Sequence, residues 1–433
     1  MLKIPGYEDP TDQQLQNLLT LYNGGAIDEA LVEAQQLLED FPDSAVVYNI
    51  QGAINARLEQ FDLAIQSYLK ALKIKPDYAQ AYNNIGVSLR TTGQLEPAIE
   101  SYKQALMMRP DYSQAFNNLG IALQDKGDFK GAEHNFQNAI EIDPNYAEAY
   151  YNLGLVFQNK DELEIAKVNY LKALEIEPNY AEAHYNLGII FQTMGEIPNA
   201  IICYKNTLVN KPDFGEAKHL IDSLSGNTTN APPKGYVEKL FNTYAKNFEQ
   251  SLVDQLKYQT PQILAKMIWD KFNDPLGSVL DLGCGTGLMG KELSQNCDYL
   301  EGIDLSDCML EEAKKKNVYN KLRQYDIVEY LTTEPLNFNY LIAADVFVYV
   351  GELSDIFRLI KCHSHRTGRL VFSTEHTEKA GYFLEKSGRY SHSKSYIEGL
   401  CSAFNYRICH FSISNLRKEN DKIISGGLYL LEF

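Results

Sequence analysis

"VLDLGCGTGLMG", Val279–Gly290, is an apolar run that carries one acid, Asp281, and then places glycine at 283, 285 and 287. Such a run reads as a strand passing into a helix through a turn that brings backbone close to a ligand. Two phosphate-binding readings fail on single positions. A P-loop needs four residues between its glycines and then Gly-Lys-Ser/Thr, and no lysine stands there. A dinucleotide fingerprint needs glycine at 288, where the chain has Leu288.

The flanks extend the reading. The run opens on SVLDLG, and downstream come YLEGID, LRQYD, NYLIAAD and GRLVFSTE, separated by helical stretches, then the pair YRICHFSIS and KIISGGLYLLEF. Helices are expected at 236–250 and 260–272. This alternation predicts a doubly wound α/β sheet, closed by an antiparallel pair. Ligands of such sheets bind at the carboxyl ends of the central strands, where the strand order reverses. The stretch DLGCGTG at 281–287 resembles motif I of class I S-adenosylmethionine-dependent methyltransferases. The resemblance implies a Rossmann-like, seven-stranded, mostly parallel sheet and S-adenosylmethionine as cofactor. Gly283, Cys284, Gly285 and Gly287 would then lay backbone against the amino-acid tail and sulfonium, with Asp281 supplying negative charge. Asp304 ends the second strand, 19 residues after Gly285, where an acid accepts from both ribose hydroxyls. Asp326, with the Ile327 backbone beside it, is placed like the acid that accepts from the adenine amino group. Leu305 and Met309 would flank the adenine ring.

Methyl transfer is an in-line displacement, so the protein's main task is alignment. The stretch YVEKLFNTYAKNFEQSL, from residue 236, resembles the helical lid of small-molecule methyltransferases. Tyr236, Phe241, Tyr244 and Phe248 recur there at helical spacing, and Tyr244 is assigned to the cofactor pocket. AADVFVYVGEL places Ala344, Asp345 and Tyr349 near the methyl group. Glu375 and His376 follow the fifth strand, and SGRYSHSKSY adds Arg389, Tyr390 and His392 on a loop entering a helix. Such a loop offers donors for a carboxylate or a base for a hydroxyl. His392, Tyr390, Asp345 and Glu375 are the catalytic candidates. The N/D-P-P-Y/W box of enzymes that methylate base or glutamine amines is absent. His363 and His365 lack a companion ligand, and no metal site is expected.

The first half has a period of 34 residues. Prolines at 42, 76, 110, 144, 178 and 212 share one phase with alanines at 30, 64, 98, 132, 166 and 200. Glycines at 52, 86, 120, 154 and 188 keep step with Tyr68, Tyr102, Phe136, Tyr170 and Tyr204. The small residue admits close helix approach, the aromatic fills the gap, and the proline stops the second helix. The stretch AYNNIGVSLRTTGQLEPAIESYKQALMMRP, 81–110, resembles a tetratricopeptide repeat. The first unit departs from the pattern, with Leu18 and Ala34 at the glycine and aromatic positions. Asn84, Asn118, Asn152 and Asn186 each stand two residues before a glycine. That ladder resembles the one with which protein O-GlcNAc transferases grip a peptide backbone on a concave face, and amides both donate and accept.

Residues 1–224 are therefore read as an all-α solenoid of six repeats, about 11–214, with a capping helix. Residues 225–235, SGNTTNAPPKG, are a linker, and 236–433 form the methyltransferase domain. The linker with its following helix, and GRYSHS at 388–393, resemble bacterial proteins described as predicted methyltransferases with tetratricopeptide repeats. The net charge of −17 lies mostly in the first 235 residues, with 31 acidic against 17 basic side chains. Nucleic acid, which needs a basic face, is disfavoured as a partner. Seven cysteines without a C-x-x-C pair, no signal peptide in MLKIPGYEDP and no membrane-spanning run place the chain in the cytoplasm. The leading expectation is a methyltransferase whose array recruits a protein or peptide. An adaptor with a non-catalytic methyltransferase fold, and a small-molecule O- or N-methyltransferase tethered by its array, are the alternatives.

Overall fold

The computed structural model describes residues 9–433 except 234, 246–247, 250–257, 273–274, 365–366 and 420–421. The chain divides after Asn206 into two compact units, which are taken separately.

The first unit is an array of antiparallel helix pairs. They are α1 (Asp12–Asn23) with α2 (Ile27–Asp40), α3 (Ala45–Arg57) with α4 (Phe61–Ile74), and α5 (Ala79–Thr91) with α6 (Leu95–Met108). Next come α7 (Ser113–Asp125) with α8 (Phe129–Ile142), α9 (Ala147–Asn159) with α10 (Leu163–Ile176), and α11 (Ala181–Thr193) with α12 (Ile197–Asn210). The boundary between units falls inside α12. The glycine–aromatic register has a steric cause. A Cβ added to Gly52, Gly86, Gly120, Gly154 or Gly188 would stand 2.4–2.6 Å from the ring of Tyr68, Tyr102, Phe136, Tyr170 or Tyr204. These rings are buried. The first pair reverses the sizes: Leu18 and Ala34 are both fully buried in one cluster.

The second unit begins with the end of α12 and then α13 (Gly215–Ser225), α14 (Tyr236–Tyr244) and α15 (Thr260–Lys271). It continues β1 (Ser278–Leu282), α16 (Leu288–Leu293), β2 (Tyr299–Asp304), α17 (Asp307–Lys316), β3 (Lys321–Gln324), α18 (Ile327–Thr333) and β4 (Tyr340–Ala343). Then follow α19 (Ser354–His363), β5 (Arg369–His376), β6 (Tyr382–Leu384), β7 (Tyr390–His392), α20 (Lys394–Phe404), β8 (Arg407–Glu419) and β9 (Lys422–Glu432). The main path of the sheet is β3-β2-β1-β4-β5-β9-β8, parallel through β5. β9 runs antiparallel between β5 and β8. Leu280 and Leu282 enter one core cluster with helices α18–α20, while Val279 enters the other with α15 and α16. Burial of both faces explains why the parallel strands read as apolar runs.

Two expectations need revision. Residues 390–392 form a strand, not a loop: β7 pairs with β6 and with the last two residues of β5. Three-residue strands are too short to leave an alternating pattern. Glu375 pairs with Gly426 of β9 on one side and Ser391 of β7 on the other, so β7 continues the edge that β4 vacates. Ser393 caps α20 by accepting from the Tyr396 amide. The second revision concerns α13 and the segment after it. The His219 ring donates to the Gly388 carbonyl at 2.9 Å, and Ser223 to that of Glu385 at 2.6 Å. Thr229 shares a 2.6 Å hydrogen bond with the Tyr390 hydroxyl, and Tyr382 donates to Asn230 at 2.7 Å. The stretch 228–230 is thus fastened to the β6–β7 hairpin.

Candidate functional site

The strand order reverses at β1, whose neighbours are β2 and β4. There the glycine loop turns on three left-handed residues: Gly283 at φ +69°, Gly285 at +53° and Gly287 at +87°. A side chain at any of them would strain the backbone. They differ in what surrounds them. A Cβ on Gly283 would meet Val346 at 2.6 Å, whereas one on Gly285 would meet nothing within 4 Å. Gly287 is the N-cap residue of α16. Gly285 therefore presents bare backbone to open space at the carboxyl end of the sheet.

The acids around the loop have partners of their own. Asp304 Oδ2 accepts from the Gly285 amide at 2.8 Å, and Oδ1 from the Ser306 amide at 2.8 Å. Burial raises its pKa, and the backbone donors pull it back. Asp281 is enclosed, and its Oδ2 accepts from the Tyr319 hydroxyl at 2.7 Å. Burial pushes the Asp281 carboxyl up to about 7; the Tyr319 hydrogen bond lowers it and the nearby Asp304 charge raises it further. Tyr319 also accepts from the Gly290 amide, and its ring lies where Cβ atoms on Gly290 and Gly302 would stand, at 2.4 and 2.9 Å. Asp326 is the N-cap of α18: Oδ1 accepts from Val328 and Glu329 at 2.8 and 3.0 Å. The Cys284 thiol is buried, which raises its pKa, and it lies 2.9 Å from where a Gly302 Cβ would stand. It is poorly suited to act as a nucleophile.

A cavity of about 700 Å³ opens over these residues. Gly283, Cys284, Gly285, Asp281, Asp304, Leu305, Met309, Asp326, Ile327 and Ala344 all line it. Beyond them it is bounded by Phe241, Phe248, Tyr258, Tyr349, Asp345, Arg389 and Arg417. The Phe241 and Tyr349 rings meet edge to face at 5.1 Å. Asp345 adopts φ +56°, which is rare for a residue with a side chain. It is held there by Ser373, whose hydroxyl accepts from the Asp345 amide at 2.8 Å and donates to Oδ1 at 2.6 Å. Arg417 Nη1 donates to Asp345 Oδ2 at 3.2 Å, and Arg417 Nη2 donates to Glu375 Oε1. The same Glu375 oxygen accepts from Arg389 Nε at 2.6 Å. Burial raises the Asp345 pKa, against the opposing pull of Arg417.

The other two catalytic candidates are elsewhere. His392 is fully buried, its Nε2 donates to the Gly351 carbonyl at 2.9 Å, and its ring stacks on Tyr396. Burial pushes its pKa down to about 4, so it is neutral at physiological pH. Tyr390 is also fully buried, and its ring lies 2.6 Å from where a Gly351 Cβ would stand. Neither residue lines the cavity.

Comparison with known proteins gives two separate matches. The TPR repeat family matches residues 52–90, 88–127, 125–161 and 160–195. The methyltransferase domain family matches residues 279–366. The chain carries tetratricopeptide repeats and a methyltransferase domain. It is 27% identical over 144 residues to malonyl-[acyl-carrier protein] O-methyltransferase of Bacillus anthracis, across 33% of this chain and 53% of that protein. It is 38% identical over 65 residues to the 18S rRNA (guanine-N(7))-methyltransferase of Bos taurus, across 15% of this chain and 23% of that protein. The chain thus spans about half the length of one of these relatives and a quarter of the other. Among solved structures it is similar to PilW, a type IV pilus biogenesis factor, at TM-score 0.45 and 21% identity, covering 48% of this chain and 97% of that one. It is also similar to YrrB, a TPR protein with an unusual peptide-binding site, at TM-score 0.35 and 23% identity, covering 43% and 96%.

In the tetratricopeptide array the asparagine ladder is tied to neighbouring repeats. The side-chain amides of Asn84, Asn118 and Asn152 donate to the oxygens of Asn49, Asn83 and Asn117 at 3.1, 2.9 and 3.0 Å. Asn186 donates to the Tyr151 hydroxyl at 3.0 Å. Each partner lies 35 residues earlier, one position off the repeat, so one row of asparagines stitches to the next. The 34-residue period marks the first row; the second row, at 49, 83 and 117, stands one position earlier in the repeat. In the methyltransferase domain, sequence reasoning missed Tyr258, Tyr319 and Arg417. Tyr319 sits between elements and Arg417 in a late strand, and neither belongs to a motif. Tyr244 closes α14, with its side chain outside the described residues; His365 lies outside them altogether. Among the described residues, no group of three His, Cys, Asp or Glu is arranged to hold a metal ion. No described helix is long and apolar enough to cross a membrane.

Proposed function

We propose that the protein is an S-adenosylmethionine-dependent methyltransferase whose array recruits a protein or peptide partner. The observation that carries the reading is Gly285: bare, left-handed backbone facing the cavity, tied through its amide to Asp304. That cradle fits a nucleoside lacking a pyrophosphate, since the loop offers neither a P-loop lysine nor glycine at 288. Asp304 would hold the ribose hydroxyls, Asp326 and the Ile327 backbone the adenine edge, with Leu305 and Met309 against the ring. Asp281 would set its negative charge toward the cationic end. When bound, S-adenosylmethionine supplies a methyl group activated by its sulfonium. The chain's own part is alignment and water exclusion by Phe241, Phe248 and Tyr349. Asp345 also reaches the cavity, beside Tyr349, and can hold an acceptor's proton at Oδ2, while Glu375 fixes the arginines beside it.

The cavity volume suits an acceptor group of small-molecule size. One relative acts, by its name, on a malonyl group and the other on a guanine in RNA. The acidic excess of the first half favours the former kind of substrate over the latter. Seven free thiols accord with a cytoplasmic protein.

Titration calorimetry with S-adenosylmethionine on the full chain tests the reading. One-site binding is expected, and Asp304→Ala should weaken it by about a hundredfold through loss of charged hydrogen bonds. No binding by the wild type, or binding indifferent to Asp304→Ala, overturns it. Binding without transfer of radiolabelled methyl to any lysate protein or metabolite would select the adaptor reading. Label in protein, lost when Asn118 and Asn152 are changed, would assign the array to substrate.

A further inference from the structure

Two stretches of the chain are still without a role: the polar run 225–235 between α13 and α14, and GRYSHS at 388–393. The fold joins them inside the second unit. The Thr229 and Tyr390 hydroxyls are 2.6 Å apart, Tyr382 donates to Asn230 Oδ1 at 2.7 Å, and the Leu384 amide donates to the Thr228 hydroxyl at 3.3 Å. On the segment after β4, the Glu352 amide donates to the Asn230 carbonyl at 2.8 Å. Gly351 admits this approach, since a Cβ there would stand 2.8 Å from the Thr229 and Asn230 carbonyl oxygens. His392 holds Gly351 in turn, donating to its carbonyl at 2.9 Å. A tether between domains needs none of these bonds.

What the fastened strap holds is a wall. Pro232 and Pro233 follow directly and line the cavity, half-buried, together with Val237 and Phe241 on one side and Tyr349 and Val350 on another. A proline presents carbon and no N–H, at a fixed φ, so a pair of them makes a stiff apolar surface. The Phe241 and Tyr349 rings meet at 5.1 Å, and Val350 adjoins the Gly351 on which the strap rests. None of the residues assigned to the nucleoside belongs to this wall. The charged groups of the same cavity are engaged with one another, Arg417 with Asp345 and Glu375, and Arg389 with Glu375. Burial of carbon is therefore the main attraction here, and it is worth about three- to fourfold in affinity per methylene. The volume admits a small molecule and excludes a folded polymer.

We propose that the strap Thr228–Pro233 is the specificity element of the site. It sets the wall against which the second substrate's carbon skeleton lies, so that this substrate is a small molecule with an apolar chain or ring. Its role as methyl acceptor rests on the cofactor reading above; binding of an apolar molecule does not. 4-Ethylphenol and 4-butylphenol are titrated into the full chain with and without S-adenosylhomocysteine, beside glycerol as a hydroxyl compound without an apolar skeleton. Both phenols are expected to bind saturably, the butyl compound about tenfold more tightly, and glycerol not at all. Pro232→Asp leaves every anchoring bond of the strap in place. It should remove most of that tenfold difference, with the affinity for S-adenosylhomocysteine unchanged. Tyr390→Phe, which releases Thr229, should weaken both phenols by about fivefold. A folding failure of Tyr390→Phe, read by circular dichroism, is decided by Pro232→Asp. Failure of both phenols to bind, equal affinity for the two, binding of glycerol, or a tenfold difference that survives Pro232→Asp overturns the proposal. If S-adenosylhomocysteine fails to bind while the phenols bind as expected, the cofactor reading falls and the strap keeps its role. The reverse result removes only the strap's role.

Discussion

Glycine is used in the two halves of this protein for opposite reasons. In the tetratricopeptide array, Gly120 has ordinary helical backbone, and what forbids a side chain is the Phe136 ring, 2.6 Å from where a Cβ would be. At the glycine loop, Gly285 has empty space on that side, and what forbids a side chain is the backbone itself, at φ +53°. The first glycine serves packing and the second serves approach by a ligand. Sequence records both as periodic glycines, at intervals of 34 and of 2.

The sharpest way to break the contrast is to exchange the remedies. Gly120→Ala should destabilise the array by about 3 kcal/mol through overpacking and leave nucleoside affinity alone. Pairing Gly120→Leu with Phe136→Ala should recover much of that loss, because the first repeat already places a large residue opposite a small one, Leu18 opposite Ala34. Gly285→Ala should cost the fold about 1–2 kcal/mol while weakening S-adenosylhomocysteine binding, and no second-site truncation should rescue it. Thermal melts and calorimetry on the three variants decide. A recovery at Gly285, or none at Gly120, would erase the distinction.

A smaller effect tests the electrostatics beside the loop. Asp281 has an ordinary pKa near 3.8 that burial raises to about 7 in the folded chain. The folded state therefore holds the proton more tightly than the unfolded chain does. The associated stability is complete below pH 4 and is lost as pH rises toward 7. Asp281→Asn should be near neutral at pH 4 and stabilising at pH 8. Equal shifts in melting temperature at both pH values would show that Asp281 does not titrate between them.

The smallest effect lies in the ladder. Asn117 accepts from Asn152 and donates to Glu148 at 3.2 Å. Asn117→Ala should lower stability by about 1–2 kcal/mol, because the buried Asn152 amide loses its acceptor. Urea unfolding of the full chain measures it. A change within error would mean that the rows of asparagines do not stitch the repeats, and would return the whole ladder to ligand contact.

Much of the site was legible in the sequence. The three loop glycines, Asp281, Asp304 and Asp326 were found by spacing, because strand, turn and helix follow one another without interruption. Asp345 and Glu375 were found because they stand at the carboxyl ends of apolar runs, Asp345 just past β4 and Glu375 within the last two residues of β5. His392 and Tyr390 shared their stretch with Arg389, but alternation along β7 and its place beside β5 turn those two into packed rings. Arg417 was missed since nothing local distinguishes an arginine in a terminal hairpin.

The sequence by itself determined the two architectures, the repeat register and the exclusion of phosphate-binding loops. These follow from periodicity and from local backbone geometry, which neighbouring residues set. Only the tertiary structure decided which asparagine meets which, that Asp281 is enclosed with Tyr319, and that Arg389 and Arg417 converge on Glu375. Those depend on residues 14–42 positions apart in the chain being brought together by the fold. Burial and charge pairing are properties of that arrangement, and no stretch of the chain carries them alone.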